Sequence, residues 1–84
     1  MVSIQKLLSE RGKRYGEFWE VAVAYDSLRE SINVDHLPST HRVAIDMIFL
    51  KVARIICGDY NYKDNWDDIA GYATLVSNIL KEGE

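Results

Sequence analysis

The chain has 84 residues, of which 48% are hydrophobic and 27% are charged, and its net charge is −3. This composition predicts one small globular domain over residues 1–84 and excludes an intrinsically disordered chain. An acidic chain also argues against general nucleic-acid binding, which usually needs a basic surface. The basic residues Arg11, Lys13 and Arg14 cluster early in the chain. We expect them to lie in a loop, and three residues are too few to form a surface that follows a phosphate backbone.

The single cysteine, Cys57, has no partner for an internal disulfide and cannot supply the thiolates of a structural zinc site. It lies in the apolar run ARIICG, which favours a small buried side chain over a catalytic thiol. The sequence contains no apolar run long enough for a signal peptide or a membrane span. We therefore expect a cytoplasmic protein without a membrane partner.

Two helices are predicted in the first part of the chain. Ser3 is a suitable N-cap for a short helix that we expect to end at Gly12. A second helix is predicted to begin near Tyr15 or Gly16. Its apolar residues recur at the i, i+3, i+4, i+7 spacing that buries one stripe. They are Phe18, Val21, Ala22, Tyr25, Leu28 and Ile32.

The segment NVDHLPST separates the second and third predicted helices, because Pro38 cannot continue a helix. Ser39 or Thr40 can cap the third helix, which is predicted over residues 41–57. This helix is apolar on nearly every face, as is typical of a central helix or of one shared with another chain. Gly58 is predicted to end it as a C′ glycine.

The loop DYNYKDN leads to a fourth helix, which we expect Asp64 or Asn65 to cap and which runs to about Leu80. No segment shows the alternation of a strand, so the sequence predicts an all-α fold. We expect a small helical bundle of three long helices plus a short N-terminal helix. The third helix has more apolar surface than a monomer of this length covers, which predicts a dimer or higher oligomer packed through the third and fourth helices.

The segment DNWDDIAGYATL at 64–75 breaks two local rules. It places three aspartates close together, and it carries Gly71 in a helix interior, where glycine costs about 1 kcal/mol relative to alanine. The positive end of the helix dipole accounts for one or two of the carboxylates. We expect Gly71 to let another helix approach closely. Asp68 shares a helix face with Asp64 and is expected to be partly buried.

Lys51, Arg54 and Asp46 interrupt the apolar surface of the third helix. Because buried charges need partners, we expect the two cations to face Asp64 and Asp68 on the fourth helix. Two interpretations stay open. The charges either only neutralise one another, or they line a cleft in which the cations hold a phosphate and the carboxylates hold a metal ion or a sugar.

Three segments, in this order, resemble known families: YGEFW at 15–19, AIDMIFLKVARII at 44–56 and DNWDDIAGYATL at 64–75. They resemble a family of small tailed-phage proteins and, more distantly, the nucleotide-modification-associated domain of phage and bacterial genomes. That domain is similar to the all-α, MazG-like nucleoside triphosphate pyrophosphatases. The resemblance covers about two-thirds of the chain and implies a function involving nucleotides.

The resemblance to MazG-like enzymes also implies a magnesium site. Those enzymes bind Mg²⁺ with a Glu-x-x-Glu pair and a later Glu-x-x-Asp pair, and Glu17 and Glu20 have the first spacing. If Tyr72 matches the tyrosine that often follows the second pair, Asp68 matches its aspartate and Asn65 replaces its glutamate. Glu17, Glu20 and Asp68 are thus the candidate metal ligands. The two glutamates are also what any solvated helix start carries.

The aromatic residues Tyr60, Tyr62 and Trp66 flank the aspartates, where they either stack on a base or close a small core. The first functional hypothesis is a phage-type nucleotide-binding protein that binds, sequesters or hydrolyses a nucleotide or nucleotide-like signal. The alternative is a non-catalytic phage interaction module that binds a host protein. The residues predicted to bind the ligand are Lys51, Arg54, Asp46, Asp64, Asp68, Tyr72 and Trp66.

Overall fold

The computed structural model describes residues 3–83, with side chains for residues 3–80, and this part of the chain folds into four α-helices. The helices are α1 (Ile4–Tyr15), α2 (Phe18–Glu30), α3 (Ser39–Cys57) and α4 (Lys63–Gly83). Residues 3–83 contain no strand, so the predicted all-α class is confirmed. No helix in this range combines the length and the apolarity needed to cross a membrane.

α3 is the central helix, as its apolar surface predicts. It packs against α1, α2 and α4, whereas no Cα atom of α2 lies within 8 Å of a Cα atom of α4 in residues 3–83. The three longest helices therefore form an open row with α3 in the middle. The molecule is elongated, with principal dimensions of 49 × 26 × 22 Å.

α1 continues through Gly12, so its predicted end at this residue is wrong. The Glu17 carboxylate packs against Gly12, where an added Cβ would lie 2.9 Å from Oε1. The helix ends instead before Gly16, whose φ of +87° lies in the left-handed region that favours glycine. Ser3 caps α1 as predicted, because its Oγ accepts a hydrogen bond from the Lys6 N–H at 3.1 Å.

The ends of α1 and α3 pack backbone against backbone. A Cβ on Gly58 would lie 2.5 Å from the Gly16 nitrogen, and a Cβ on Gly16 would lie 2.6 Å from the Cys57 Cβ. The Asp59 N–H donates to the Arg14 carbonyl at 3.2 Å across the same contact. Gly58 has a φ of −119° and so is not the predicted left-handed C′ glycine. A glycine is needed at residue 58 because the backbone of residues 14–16 packs directly against it.

α2, α3 and α4 differ from the predicted helices at their starts. α2 begins at Phe18, after an N-cap residue that makes no side-chain cap. Pro38 is the N-cap of α3, and its restricted φ suits a helix start. Ser39 and Thr40 lie inside α3, and α4 begins before Asp64. The predicted side-chain caps of α3 and α4 are therefore wrong.

The hydrophobic core is small. The buried apolar residues in the described part of the chain are Val21, Val34, Ala44 and Ala53. The predicted buried stripe of α2 is interrupted, because Phe18 is 87% exposed. Gly71 is also exposed, and an added Cβ would meet nothing within 4 Å. The close helix contact expected at Gly71 is thus not made among the residues that the structure describes.

Candidate functional site

One of the predicted charge pairs forms between α3 and α4. Lys51 Nζ lies 3.0 Å from Asp68 Oδ2. The Lys51 side chain is only 11% exposed, whereas the Asp68 side chain is 49% exposed. The carboxylate therefore compensates a nearly buried ammonium group while keeping its own contact with solvent.

Arg54 and Asp64 do not join this pair. The Arg54 guanidinium carbon, Cζ, lies 5.0 Å from the centroid of the Tyr15 ring. Asp64 lies in the first turn of α4, where the helix dipole favours a negative charge. The single cleft expected to contain all four charges is therefore not formed, because Arg54 points toward α1 rather than α4.

Two other aspartates, Asp46 and Asp67, form ion pairs of their own. Arg29 Nε lies 2.5 Å from Asp46 Oδ1, an ion pair between α2 and α3 that lacks good hydrogen-bond geometry. Lys63 Nζ lies 2.6 Å from Asp67 Oδ2, one turn further along α4. Asp46 thus lies apart from the Lys51–Asp68 pair, and the i, i+4 spacing accounts for Asp67.

Trp66 and Tyr72, two of the residues predicted to bind the ligand, make their contacts away from Arg54. The Trp66 Nε1–H donates to the Tyr60 carbonyl at 2.9 Å and so ties the loop before α4 to the first turns of that helix. Tyr72 lines an apolar groove between α3 and α4. Neither residue lines the cleft between α1, the start of α2 and α3 that Arg54 helps to line.

The candidate magnesium ligands are not gathered into one site. Among the residues with described side chains, no three His, Cys, Asp or Glu groups are placed to hold a metal ion. Glu17 packs against Gly12, and Asp68 pairs with Lys51. Glu17, Glu20 and Asp68 therefore do not fit an all-protein octahedral site for Mg²⁺.

Asn65 is fully buried at the start of α4. Neither its Oδ1 nor its Nδ2 has a hydrogen-bond partner among the described residues, an arrangement that is rare in folded proteins. A glutamate at this position would place an uncompensated carboxylate in the interior, which costs more than a neutral amide. Burial thus gives a physical reason for the amide at the position that the MazG-like resemblance assigns to a glutamate.

α1, α3 and the loop before α4 bring together three arginines and two tyrosines, which we name the arginine–tyrosine cluster. The Cζ atoms of Arg11 and Arg54 lie 4.9 and 5.0 Å from the Tyr15 ring centroid. The Cζ of Arg14 lies 5.4 Å from the Tyr62 centroid. The two rings meet edge to face, with centroids 5.4 Å apart. All three guanidinium groups are within cation–π distance of a ring.

The positive charge of this cluster is not neutralised by ion pairs. In residues 3–80, no carboxylate lies within 4.0 Å of a guanidinium nitrogen of the three cluster arginines. A side-chain hydrogen bond with Tyr15 is the main cause that raises the pKa of Tyr62 from its ordinary value, and a side-chain hydrogen bond with Asp64 is the second. The phenol therefore stays neutral, and the cluster is a local concentration of positive charge on an acidic chain.

The cluster borders a cleft of about 440 Å³ formed by α1, the start of α2 and α3. Arg11, Tyr15 and Arg54 line this cleft, and Glu17 adds a carboxylate. Its apolar lining residues are Leu8, Phe18, Val21 and Leu50. The size and the mixture of apolar surface with a few charged groups are typical of small-molecule sites.

Residues 3–80 match a family model described as "Domain of unknown function (DUF6378)". The chain belongs to the DUF6378 family. The part that matches DUF6378 includes the whole arginine–tyrosine cluster, the cleft and the Lys51–Asp68 pair. No curated protein and no solved structure matches this member of the DUF6378 family.

Of the cluster residues, Arg54 and Tyr62 are predicted from the sequence as candidates, whereas Arg11, Arg14 and Tyr15 are not. The basic residues near the start of the chain were the available signal, but an expected helix end at Gly12 placed them in a loop. Because α1 continues through Gly12, Arg11 lies three residues before Arg14 and four before Tyr15 on one helix. These spacings put the three side chains on neighbouring positions of the helix surface.

Proposed function

We propose that this protein binds a nucleotide or another phosphorylated small molecule in the cleft beside the arginine–tyrosine cluster. One observation carries the proposal. Arg11 and Arg54 come from different helices, stand against the same Tyr15 ring and line one cleft without a carboxylate partner within 4.0 Å in residues 3–80. Arginine forks match the geometry of phosphate oxygens, and two of them can hold one phosphate chain.

The remaining lining residues suit the rest of a nucleotide. Phe18 is 87% exposed and lines the cleft, so its ring is free to stack on a base. Such stacking contributes about 1–3 kcal/mol per base. Tyr15 holds the two guanidinium groups in place, and the Glu17 carboxylate is an acceptor for a sugar hydroxyl or a base N–H group.

Arg54 is the predicted ligand residue that this proposal keeps. The Lys51–Asp68 pair has a structural role in it, because the ammonium group is nearly buried and already compensated. The resemblance to tailed-phage proteins and to the nucleotide-modification-associated domain supports a nucleotide over other phosphates, in a phage-encoded protein that acts in the cytoplasm of the host. A magnesium ion would enter this site bound to the phosphates of the ligand, with water completing its shell.

A thermal-shift screen tests the proposal with the whole chain. The panel contains nucleoside mono-, di- and triphosphates, cyclic nucleotides and inorganic phosphate, each with and without Mg²⁺. A ligand present at 100 times its dissociation constant stabilises the folded state by about 2.7 kcal/mol, which raises the melting temperature of a domain of this size by about 10–20 °C. Release of phosphate or pyrophosphate, measured on the same mixtures, separates turnover from sequestration. The proposal would be contradicted if no ligand of the panel raised the melting temperature.

The alternative, a module that binds a host protein, is favoured by a different observation. Trp19 is 66% exposed at the start of α2, next to the exposed Phe18. Exposed aromatic residues are common anchors in protein interfaces. If this alternative holds, no nucleotide gives a thermal shift, and Trp19→Ser abolishes binding to the host protein.

A further inference from the structure

The helices of one chain enclose only a small core. α2 and α4 flank α3 on either side without approaching each other, so α3 is not enclosed within the described residues. Stable domains consist of at least two packed layers around a core. Within residues 3–80, only four apolar side chains are buried. Large apolar side chains of α3 and α4, such as Val43 and Leu75, therefore stay exposed in the described part of the chain.

The exposed area supports the same conclusion quantitatively. The accessible surface of the chain is 6309 Å², whereas a compact monomer of 9.7 kDa exposes about 5,100 Å². The Cα radius of gyration is 15.0 Å, against about 12 Å for a compact domain of this length. The excess of about 1,200 Å² per chain matches the area that one partner buries in a stable homodimer.

An apolar depression beside α4 marks where this area can be covered. A groove of about 650 Å³ runs between the start of α3 and the second half of α4. Its lining includes Val43, Leu75 and Ile79, which are 56%, 61% and 45% exposed. Tyr72 and Leu75 also line a shallower depression that contains Gly71. The two depressions therefore form one continuous surface along α4, which we name the α4 face.

Gly71 is unexplained within one chain. It lies inside α4, where only proline is less favourable, and it has open space around its Cα. A helix from outside could approach closely at this residue, because no side chain stands in the way. The same face combines exposed apolar side chains with a groove that can receive them, which is the self-complementarity that a two-fold interface requires.

We propose that the α4 face is covered by a second copy of this chain in a two-fold dimer. Leu75 and Ile79 of each copy fill the groove of the other, and Gly71 gives room for the partner's helix. The second copy also covers the apolar side chains that one chain leaves exposed along α4 and at the start of α3. This inference is independent of the nucleotide proposal, because the arginine–tyrosine cluster lies at the opposite end of α3 from the Val43 part of the groove.

Sedimentation velocity tests this proposal on the wild type, on Gly71→Gln and on a control variant, Ser27→Gln. Each protein is measured from below one micromolar to tens of micromolar. The control adds the same side chain at an exposed position on α2. We expect a species of twice the 9.7 kDa chain mass for the wild type and the control. Gly71→Gln should weaken association by at least about tenfold while helicity by circular dichroism is kept or increased.

A second variant, Leu75→Arg, tests the same face at a residue other than Gly71. It should also give monomers with unchanged helicity. A wild type that remains at 9.7 kDa at tens of micromolar would overturn the proposal and assign the groove to another occupant. Dimers of undiminished affinity in both Gly71→Gln and Leu75→Arg would overturn it as well, because a different face would then form the interface.

Discussion

Gly58 and Gly16 pack so closely that a Cβ on Gly58 would lie 2.5 Å from the Gly16 backbone nitrogen. We expect Gly58→Ala to lower the free energy of unfolding by about 2–3 kcal/mol, because backbone atoms cannot move aside as a flexible side chain can. Urea unfolding at a fixed, low protein concentration measures this change. Gly71→Ala is the control and should raise stability by up to about 1 kcal/mol under the same conditions. Equal stability of Gly58→Ala and the wild type would show that the two segments are not in contact.

These glycines show what the sequence can predict about the fold and what it cannot. Helix type and order follow from the spacing of apolar residues, and Pro38 locates the longest break between helices. The role of a glycine depends on what lies opposite it in space. Gly71 stands out in the sequence because glycine is unfavourable inside a helix. The close backbone contact is nevertheless made by Gly16 and Gly58. Only the tertiary arrangement of α1 and α3 distinguishes these cases.

The Lys51–Asp68 pair predicts an asymmetric response to mutation. Asp68→Asn leaves a nearly buried ammonium group without its charge partner, and we expect a loss of about 1–3 kcal/mol in unfolding free energy. Lys51→Met removes that charge and leaves a half-exposed carboxylate that water can solvate, so we expect a change within about 1 kcal/mol. A urea-unfolding double-mutant cycle measures both effects. The reverse order of the two losses would contradict the assignment of Lys51 as the buried partner.

Asn65 gives a prediction about a buried polar group. Since its amide is fully buried without a partner, Asn65→Leu should keep or increase stability, by up to about 1 kcal/mol. Asn65→Asp should be strongly destabilised at neutral pH and recover in acid, because burial favours the protonated carboxyl group. Thermal melts between pH 4 and pH 8 test both variants. If Asn65→Leu instead loses several kcal/mol, the amide has a partner such as an ordered water.

The Cys57 thiol gives a prediction about pH. Burial, and then the nearby Glu20 carboxylate, raise the pKa of Cys57 from its ordinary value. Because the thiolate is the reactive form, iodoacetamide should react with the folded chain at a higher pH than with the chain unfolded in urea. The stability linked to this group is complete below the pKa of the unfolded thiol and is lost as the pH rises through the folded value.

Glu20→Gln supplies the control for this titration. Removing the carboxylate should move the reaction midpoint of Cys57 part of the way back toward that of the unfolded chain, because burial remains. A folded chain that reacts at the same pH as the unfolded chain would show that the thiol is open to water.

The candidate site was less predictable than the fold. The sequence predicted that Lys51 and Arg54 face Asp64 and Asp68, because buried charges need partners, and of these four groups only Lys51 and Asp68 pair within residues 3–80. It could not show that Arg54 turns toward Tyr15, since this depends on how α1 crosses the end of α3. The glycine contact between those two helices fixes that crossing, and it therefore also brings Arg11 and Arg54 to one cleft.

The most direct test of the nucleotide proposal is calorimetric titration of the strongest ligand from the screen into the wild type, Arg54→Gln and Arg42→Gln. Arg42 lies on the same helix as Arg54 but outside the cleft, so its variant controls for the loss of one positive charge. We expect Arg54→Gln to weaken binding by about tenfold or more, as for the loss of a charge-assisted hydrogen bond to phosphate, and Arg42→Gln to bind within about twofold of the wild type. Equal affinity of Arg54→Gln and the wild type would contradict the proposal that the ligand binds in the arginine–tyrosine cleft.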